Sequence, residues 1–176
     1  MLIILSGSSG SGKNTIINEI IKRKPHIDIL KSCTSRPRRD EKENNYIYLD
    51  LKEFNDKIKN KEFFEFEEVH KGIFYGTLKD SLKKAKSKKI FIKDIDVNGS
   101  MKLKKELGDD VKLVYLDVPK EVLRDRIIKR GESDESAELR LSRYDYERSF
   151  ADKYDLVIKN KDLDETVEII IKELNL

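Results

Sequence analysis

At 176 residues the chain has the size of one ordinary domain, long enough to bury a substantial core. Charged residues make up 40% of it, yet 37 Lys and Arg against 34 Asp and Glu leave a net charge of only +3, which argues against a broad basic face and nucleic-acid binding. The single cysteine, Cys33, excludes an intrachain disulfide and a cysteine-based metal site. The opening MLIIL is shorter than a signal-peptide core or a membrane span, so a cytoplasmic protein with no membrane partner is expected.

In chain order, LIIL at 2–5 is an all-apolar run closed by Ser6 and Gly7, the pattern of a buried strand. Residues 13–23 place Ile16, Ile17, Ile20 and Ile21 at helical spacing until Pro25 stops them. IDIL at 27–30 reads as a second strand, and 31–45 as a polar stretch with the basic cluster SRPRR at 35–39. Aromatic strands follow at 46–49 and 63–66, with a helix between them that starts near Asp50 or Leu51. A helix over about 78–86, the strand IFIKDID at 90–96, a helix over about 98–107 and the strand VKLVYLDV at 111–118 come next. Pro119 suits the first turn of a helix over 120–130, and 135–150 reads as one charged helix. LVI at 156–158 is a last strand and 163–174 a terminal helix. Apolar strands alternating with amphipathic helices predict an α/β chain with a mostly parallel sheet covered on both faces.

Between the first strand and the first helix stands GSSGSGKNT at 7–15: Gly7, Ser8, Ser9, Gly10, Ser11, Gly12, Lys13, Asn14 and Thr15. Gly-x4-Gly-Lys at a strand-to-helix junction is the setting in which backbone N–H groups curl around a phosphate. The helix N-terminus adds its dipole, and the lysine reaches the β- and γ-phosphates. A Gly/Ser turn that only caps the helix is the plain alternative. A dinucleotide fingerprint is excluded, because no third glycine follows Gly10-Ser11-Gly12 at the required place. Asn14 stands where a hydroxyl that helps hold Mg²⁺ would follow the lysine. The loop points to nucleoside triphosphate chemistry and leaves the phosphate acceptor open.

SCTSRPRR (32–39), Tyr46, FFEFEEVHKGIFYGT (63–77), IFIKDIDVNG (90–99), RDRIIKRG (124–131), ELRLSRYDYE (138–147) and IKN (158–160) follow in order. With the loop they resemble guanylate kinase over essentially the whole chain. That resemblance implies a P-loop NTPase-type parallel-sheet core at about 1–32, 81–125 and 144–176. It also implies a GMP-binding segment at about 33–80 and a mobile lid at about 126–143, both closing over bound nucleotides. The activity implied is Mg²⁺-dependent transfer of the ATP γ-phosphate to GMP, with dGMP an open second acceptor and a monomer or homo-oligomer as the assembly.

Residue by residue, the resemblance implies that Arg36, Arg39, Tyr46 and Tyr75 hold the acceptor phosphate, with Arg38 a rival to Arg39; bidentate Arg–phosphate pairing supplies direction as well as charge. Guanine offers N1–H and an exocyclic NH₂ side by side, which a carboxylate accepts as a pair. Glu65 matches the base-reading glutamate, with Glu67 and Glu68 as formal alternatives and Ser32, Thr77 and Asp96 as further contacts. Asp94 belongs near the phosphates and Mg²⁺ together with Asn14, although Asp94 and Asp96 also suit a helix cap. Arg126, Arg130 and Arg140 match the lid arginines that neutralise the transferring phosphoryl group, with Arg143 a weaker candidate. Asn160 matches an adenine contact; His26, His70 and Cys33 receive no role. Two rival readings are a related P-loop kinase with another acceptor and a non-catalytic guanylate-kinase-like module that binds a phosphopeptide. Such a module lacks the phosphate loop and lid arginines that this chain keeps.

Overall fold

The structure, a computed structural model, describes residues 1–38, 41, 45–70, 72–85 and 89–176. Its elements are β1 (Leu2–Ser6), α1 (Lys13–Arg23), β2 (Ile27–Ile29), β3 (Ser32–Thr34), β4 (Tyr46–Tyr48), α2 (Leu51–Lys59), β5 (Phe63–His70), β6 (Ile73–Leu78), α3 (Lys79–Ala85), β7 (Ile90–Asp94), α4 (Val97–Leu107), β8 (Val111–Asp117), α5 (Lys120–Ile128), α6 (Asp134–Leu141), α7 (Tyr144–Arg148), β9 (Leu156–Lys159) and α8 (Leu163–Glu173). The chain is α/β, with a parallel central sheet flanked by helices. It divides into two compact units, residues 1–2 with 26–93 and residues 3–25 with 94–176.

In the first unit β2 runs parallel to β7, from Ile27 opposite Ile90 to Ile29 opposite Ile92. A four-stranded sheet has the order β4-β3-β6-β5, with β3 parallel to β4 and β6 antiparallel to both β3 and β5. Two of these strands differ from expectation. β3 forms inside the stretch read only as polar, because Ser32, Cys33 and Thr34 are small enough to be buried together between two paired strands. β6 completes a hairpin that turns at Gly72, whose φ of 77° few side-chain-bearing residues adopt. Beneath the sheet, Phe54 of α2 stacks on Phe63 at 4.5 Å and both pack with Cys33. α2 starts where the sequence placed it, through a capping box: Glu53 N–H donates to Asp50 at 2.7 Å and Asp50 N–H to Glu53 at 2.8 Å.

β1, most of which lies in the second unit, is buried along its whole length, as its apolar run Leu2–Leu5 requires. α1 turns Ile16, Ile17 and Ile20 inward, and β8 runs parallel to β9 from Val114 opposite Leu156. The charged segment read as one helix is two. α6 buries Ala137 and Leu141 against Val118, Leu123 and Ile127, and then the Ser142 hydroxyl donates to the Leu139 carbonyl at 2.7 Å, a local bond that competes with continuing the helix. Pro119 lies one position earlier than expected, as the extended N-cap of α5 with ψ 144°. β7 stops at Asp94, two residues short of the expected end, because Asp96 leaves the strand to cap α4. Among the described residues no helix is long and apolar enough to cross a membrane.

Gly76 is a packing constraint on this scaffold. A Cβ there would stand 2.8 Å from Phe63 Cδ1 and 3.0 Å from the Glu65 carbonyl oxygen, and Phe63 is held by its stack on Phe54. Gly76→Ala is therefore expected to lower stability by about 1–3 kcal/mol, read as a lower urea midpoint at unchanged slope. A midpoint equal to that of the parent protein would contradict this packing.

Candidate functional site

The phosphate loop joins β1 to α1. Gly7 passes so close to β8 that a Cβ on it would lie 2.7 Å from the Leu116 carbonyl oxygen. Gly12 caps α1 in the left-handed conformation, φ 94°, and the first turn carries no acidic side chain, so the helix end keeps its favourable field for an anion. The loop carbonyls are tied back by side chains. Lys13 Nζ donates to the Gly7 carbonyl and, at 3.2 Å, to that of Ser8. Asn160 Nδ2 donates to the Ser11 carbonyl at 2.7 Å, while Asn160 Oδ1 accepts the Thr166 hydroxyl at 2.9 Å. Arg126 Nη1 reaches the Gly10 carbonyl at 3.4 Å.

Charges gather around Lys13. Burial pulls its pKa below the ordinary lysine value; Asp94 and Glu147 oppose that shift, and Arg140 and Arg130 add to it. Thus Asp94, Arg130 and Arg140, widely separated in sequence, act on one ammonium. Glu147 also accepts the Ser8 hydroxyl at 2.6 Å; sequence reasoning gave it no role, and its only signal was its place at the end of ELRLSRYDYE. Arg140 is ion-paired with Glu132, and Arg143 lies 5.6 Å from the Tyr146 ring. Asn14 is half-buried, whereas Ser9 is partly exposed and Thr15 exposed. Asp96 Oδ1 accepts from the N–H groups of Asn98 at 2.8 Å and Gly99 at 3.1 Å, the helix cap weighed as its second role.

In the first unit, Arg36 is buried and its Nε donates to the Tyr75 hydroxyl at 3.2 Å. Its guanidinium lies 5.7 Å from the Tyr46 ring and 5.8 Å from that of Tyr48, and Arg38 lies 4.7 Å over Tyr48. Tyr48 was not expected; its alternation with Tyr46 along β4 was the available clue. Arg39 lies outside the described residues. Deeper in the same unit, Glu65, Ser32 and Thr77 are all buried, and Glu65 sits opposite Thr77 across β5 and β6. Glu67 is half-buried, and Glu68 is exposed, accepting from Gly72 N–H at 2.7 Å. Of the three glutamates, Glu65 alone is withdrawn from water. Beside it Lys93, 1% exposed, donates from Nζ to the Thr77 hydroxyl oxygen.

The sequence pattern of the guanylate kinase family matches residues 1–175. The chain is 39% identical over 183 residues to the guanylate kinase of Bacteroides thetaiotaomicron, covering 99% of this chain and 90% of that protein. It is 35% identical to that of Thermotoga maritima, over 97% of this chain and 84% of that protein. Among solved structures, guanylate kinase from Anaplasma phagocytophilum is similar with TM-score 0.77 at 28% identity, over 99% of this chain and 84% of that one. Shikimate kinase from Bacteroides thetaiotaomicron shares the fold with TM-score 0.55 at 14% identity, over 100% of this chain and 99% of that one.

Proposed function

The chain belongs to the guanylate kinase family, and we infer from that membership and its two residue clusters that it transfers the γ-phosphate of ATP to GMP, giving ADP and GDP. The observation that carries the choice of acceptor is the burial of Glu65 beside Thr77. A carboxylate withdrawn from water accepts guanine N1–H and its 2-amino group together; adenine, which lacks N1–H and carries its amino group at C6 instead, leaves the carboxylate mispaired, and a buried polar mismatch discriminates strongly.

Arg36, whose Nε now donates to Tyr75 and whose Nη1 donates to the Pro37 carbonyl, supplies guanidinium charge to the acceptor phosphate, a role the family resemblance shares among Tyr46, Tyr75 and Arg39. The loop at 7–15 receives the donor phosphates. Lys13 exchanges the Gly7 and Ser8 carbonyls it now meets for phosphate oxygens, and Arg126, Arg130 and Arg140 neutralise charge at the γ-phosphoryl group. The attacking atom is an oxygen of an already ionised phosphate, so the step needs positioning and charge neutralisation and no general base. Asn14 and Asp94 supply an amide oxygen and a carboxylate, hard donors suited to Mg²⁺; Asp94 already acts on Lys13. A Mg²⁺ ion held by these two side chains would supply positive charge to the donor phosphates. A cytoplasmic location belongs to the same reading. A phosphopeptide-binding module is disfavoured, because the phosphate loop and the lid arginines are retained.

Glu65→Gln turns a donor toward guanine's own donors, and its kcat/KM for GMP should fall roughly ten- to a hundredfold while ATP affinity, by titration calorimetry, stays unchanged. Parent-like use of GMP would remove Glu65 from the base site.

Mg²⁺ keeps several waters and takes much of its coordination from phosphate, so one protein ligand is a modest share of its hold. Asn14→Ser should therefore change kcat by less than about tenfold, whereas Lys13→Met should lower it on the order of a thousandfold. A protein inactive until Asn14 is replaced by Ser would show that the loop is broken as it stands.

A further inference from the structure

Lys93 is an anomaly in its strand. Ile90, Phe91 and Ile92 precede it in β7, and Lys93 itself is 1% exposed. Burying a lysine to that extent opposes folding unless its head group is well satisfied, and an apolar side chain would incur no such penalty. Its head group meets Thr77, itself 0% exposed.

The direction of that bond has a consequence. An ammonium carries hydrogen-bond donors and no acceptor. Thr77 Oγ1 therefore accepts from Lys93, and the threonine's own hydrogen is turned elsewhere. One lone pair of the hydroxyl is thereby taken, and its hydrogen is left for an acceptor other than the lysine. Thr77 stands opposite Glu65 in the β5/β6 register, so the strand pair carries a carboxylate that only accepts beside a hydroxyl set to donate. Guanine displays the complement along one edge, N1–H and NH₂ as donors and O6 as acceptor. Adenine reverses the pattern there, with an amino donor in place of O6. The Lys93 charge also reaches Cys33 of β3, where it opposes the burial that pushes that thiol up to about 11. The ammonium thus lies within electrostatic reach of the strand that carries Ser32 as well.

We propose that Lys93 is a positioning residue for acceptor selection: it orients the Thr77 hydroxyl as a donor to the carbonyl oxygen of guanine and so sharpens the choice of GMP over AMP. This rests on the ATP:GMP phosphotransfer reading. Lys93 touches no reacting atom, and its contribution passes through Thr77.

The test is a double-mutant cycle of Lys93→Met, Thr77→Val and the pair, measured with GMP and AMP as acceptors and with ATP binding and the urea midpoint as controls. Lys93→Met should raise KM for GMP by about tenfold with kcat changed less than about threefold, and should lower the GMP-to-AMP ratio of kcat/KM by about the same tenfold. ATP affinity should not move. The double variant should be no worse on GMP than Thr77→Val alone, since the lysine acts through that hydroxyl. Losses that multiply independently, an unchanged KM, or an equal fall in ATP affinity would each overturn the proposal. If Lys93→Met does not fold, Lys93→Gln keeps a donor of similar reach, and the same cycle with it decides in the same way, with a smaller loss. Parent protein inactive on GMP would instead overturn the phosphotransfer reading, an outcome separate from any result on Lys93.

Discussion

The loop after β1 must leave a fully buried strand, turn, and still direct its backbone N–H groups toward an anion, and the second unit is organised around that requirement. A backbone carbonyl cut off from water and from hydrogen bonds is destabilising. Here the carbonyls of Gly7, Ser8, Ser11 and Gly10 are met by Lys13, Asn160 and Arg126. Asn160 in turn is held by Thr166 of α8, so a residue from the far end of the chain keeps the loop's shape. With the carbonyls engaged on one side, the N–H groups can serve a phosphate on the other. The same arrangement explains why substituting Asn14 should matter little and substituting Lys13 a great deal. The lysine contributes to both the loop and its ligand, while Asn14 belongs to the helix that follows.

On the proposed function, the first unit solves a different problem, which is to read a base. Its buried polar side chains include Ser32, Arg36, Glu65 and Thr77, on or next to the strands of a small mixed sheet, and Lys93 of β7; the apolar support of the mixed sheet is Cys33, Phe54 and Phe63. Polar groups in such a place are stabilising only when paired, and that sensitivity to pairing is what makes them selective. A ligand with the complementary pattern satisfies them, whereas one with the reversed pattern leaves donors facing donors.

Much of this was visible in the sequence where local pattern and tertiary role coincide. β1 and β8 announced themselves because strands buried on both faces must be apolar throughout. The phosphate loop did so because its glycines, lysine and strand-to-helix setting occur together. β3 stayed hidden: SCT carries no apolar periodicity, and its burial comes from pairing with strands distant in the chain. The break between α6 and α7 was hidden too, since Ser142 and its bond to Leu139 leave the charge pattern unchanged. Among the site residues, Glu65 was already preferred to Glu67 and Glu68 in the sequence, and the structure adds that it is the most deeply buried of the three. Tyr48, Glu147 and Lys93 went unassigned because their partners, Arg36, Ser8 and Thr77, lie elsewhere in the chain. Asn160 was expected only as an adenine contact; its bond to the loop backbone had no signal in the sequence.

Selection of guanine by a buried carboxylate is tested most directly by presenting the purified protein with ATP, Mg²⁺ and each of GMP, AMP, CMP and UMP, and following ADP release in a coupled assay. ADP should appear rapidly with GMP, and each of the other three should support a kcat/KM at least about a hundredfold lower, as expected when a site's buried polar groups are left unpaired. Comparable turnover with AMP would contradict guanine selection, and ATP binding without ADP release from GMP would leave a nucleotide-binding protein that is not a kinase for GMP.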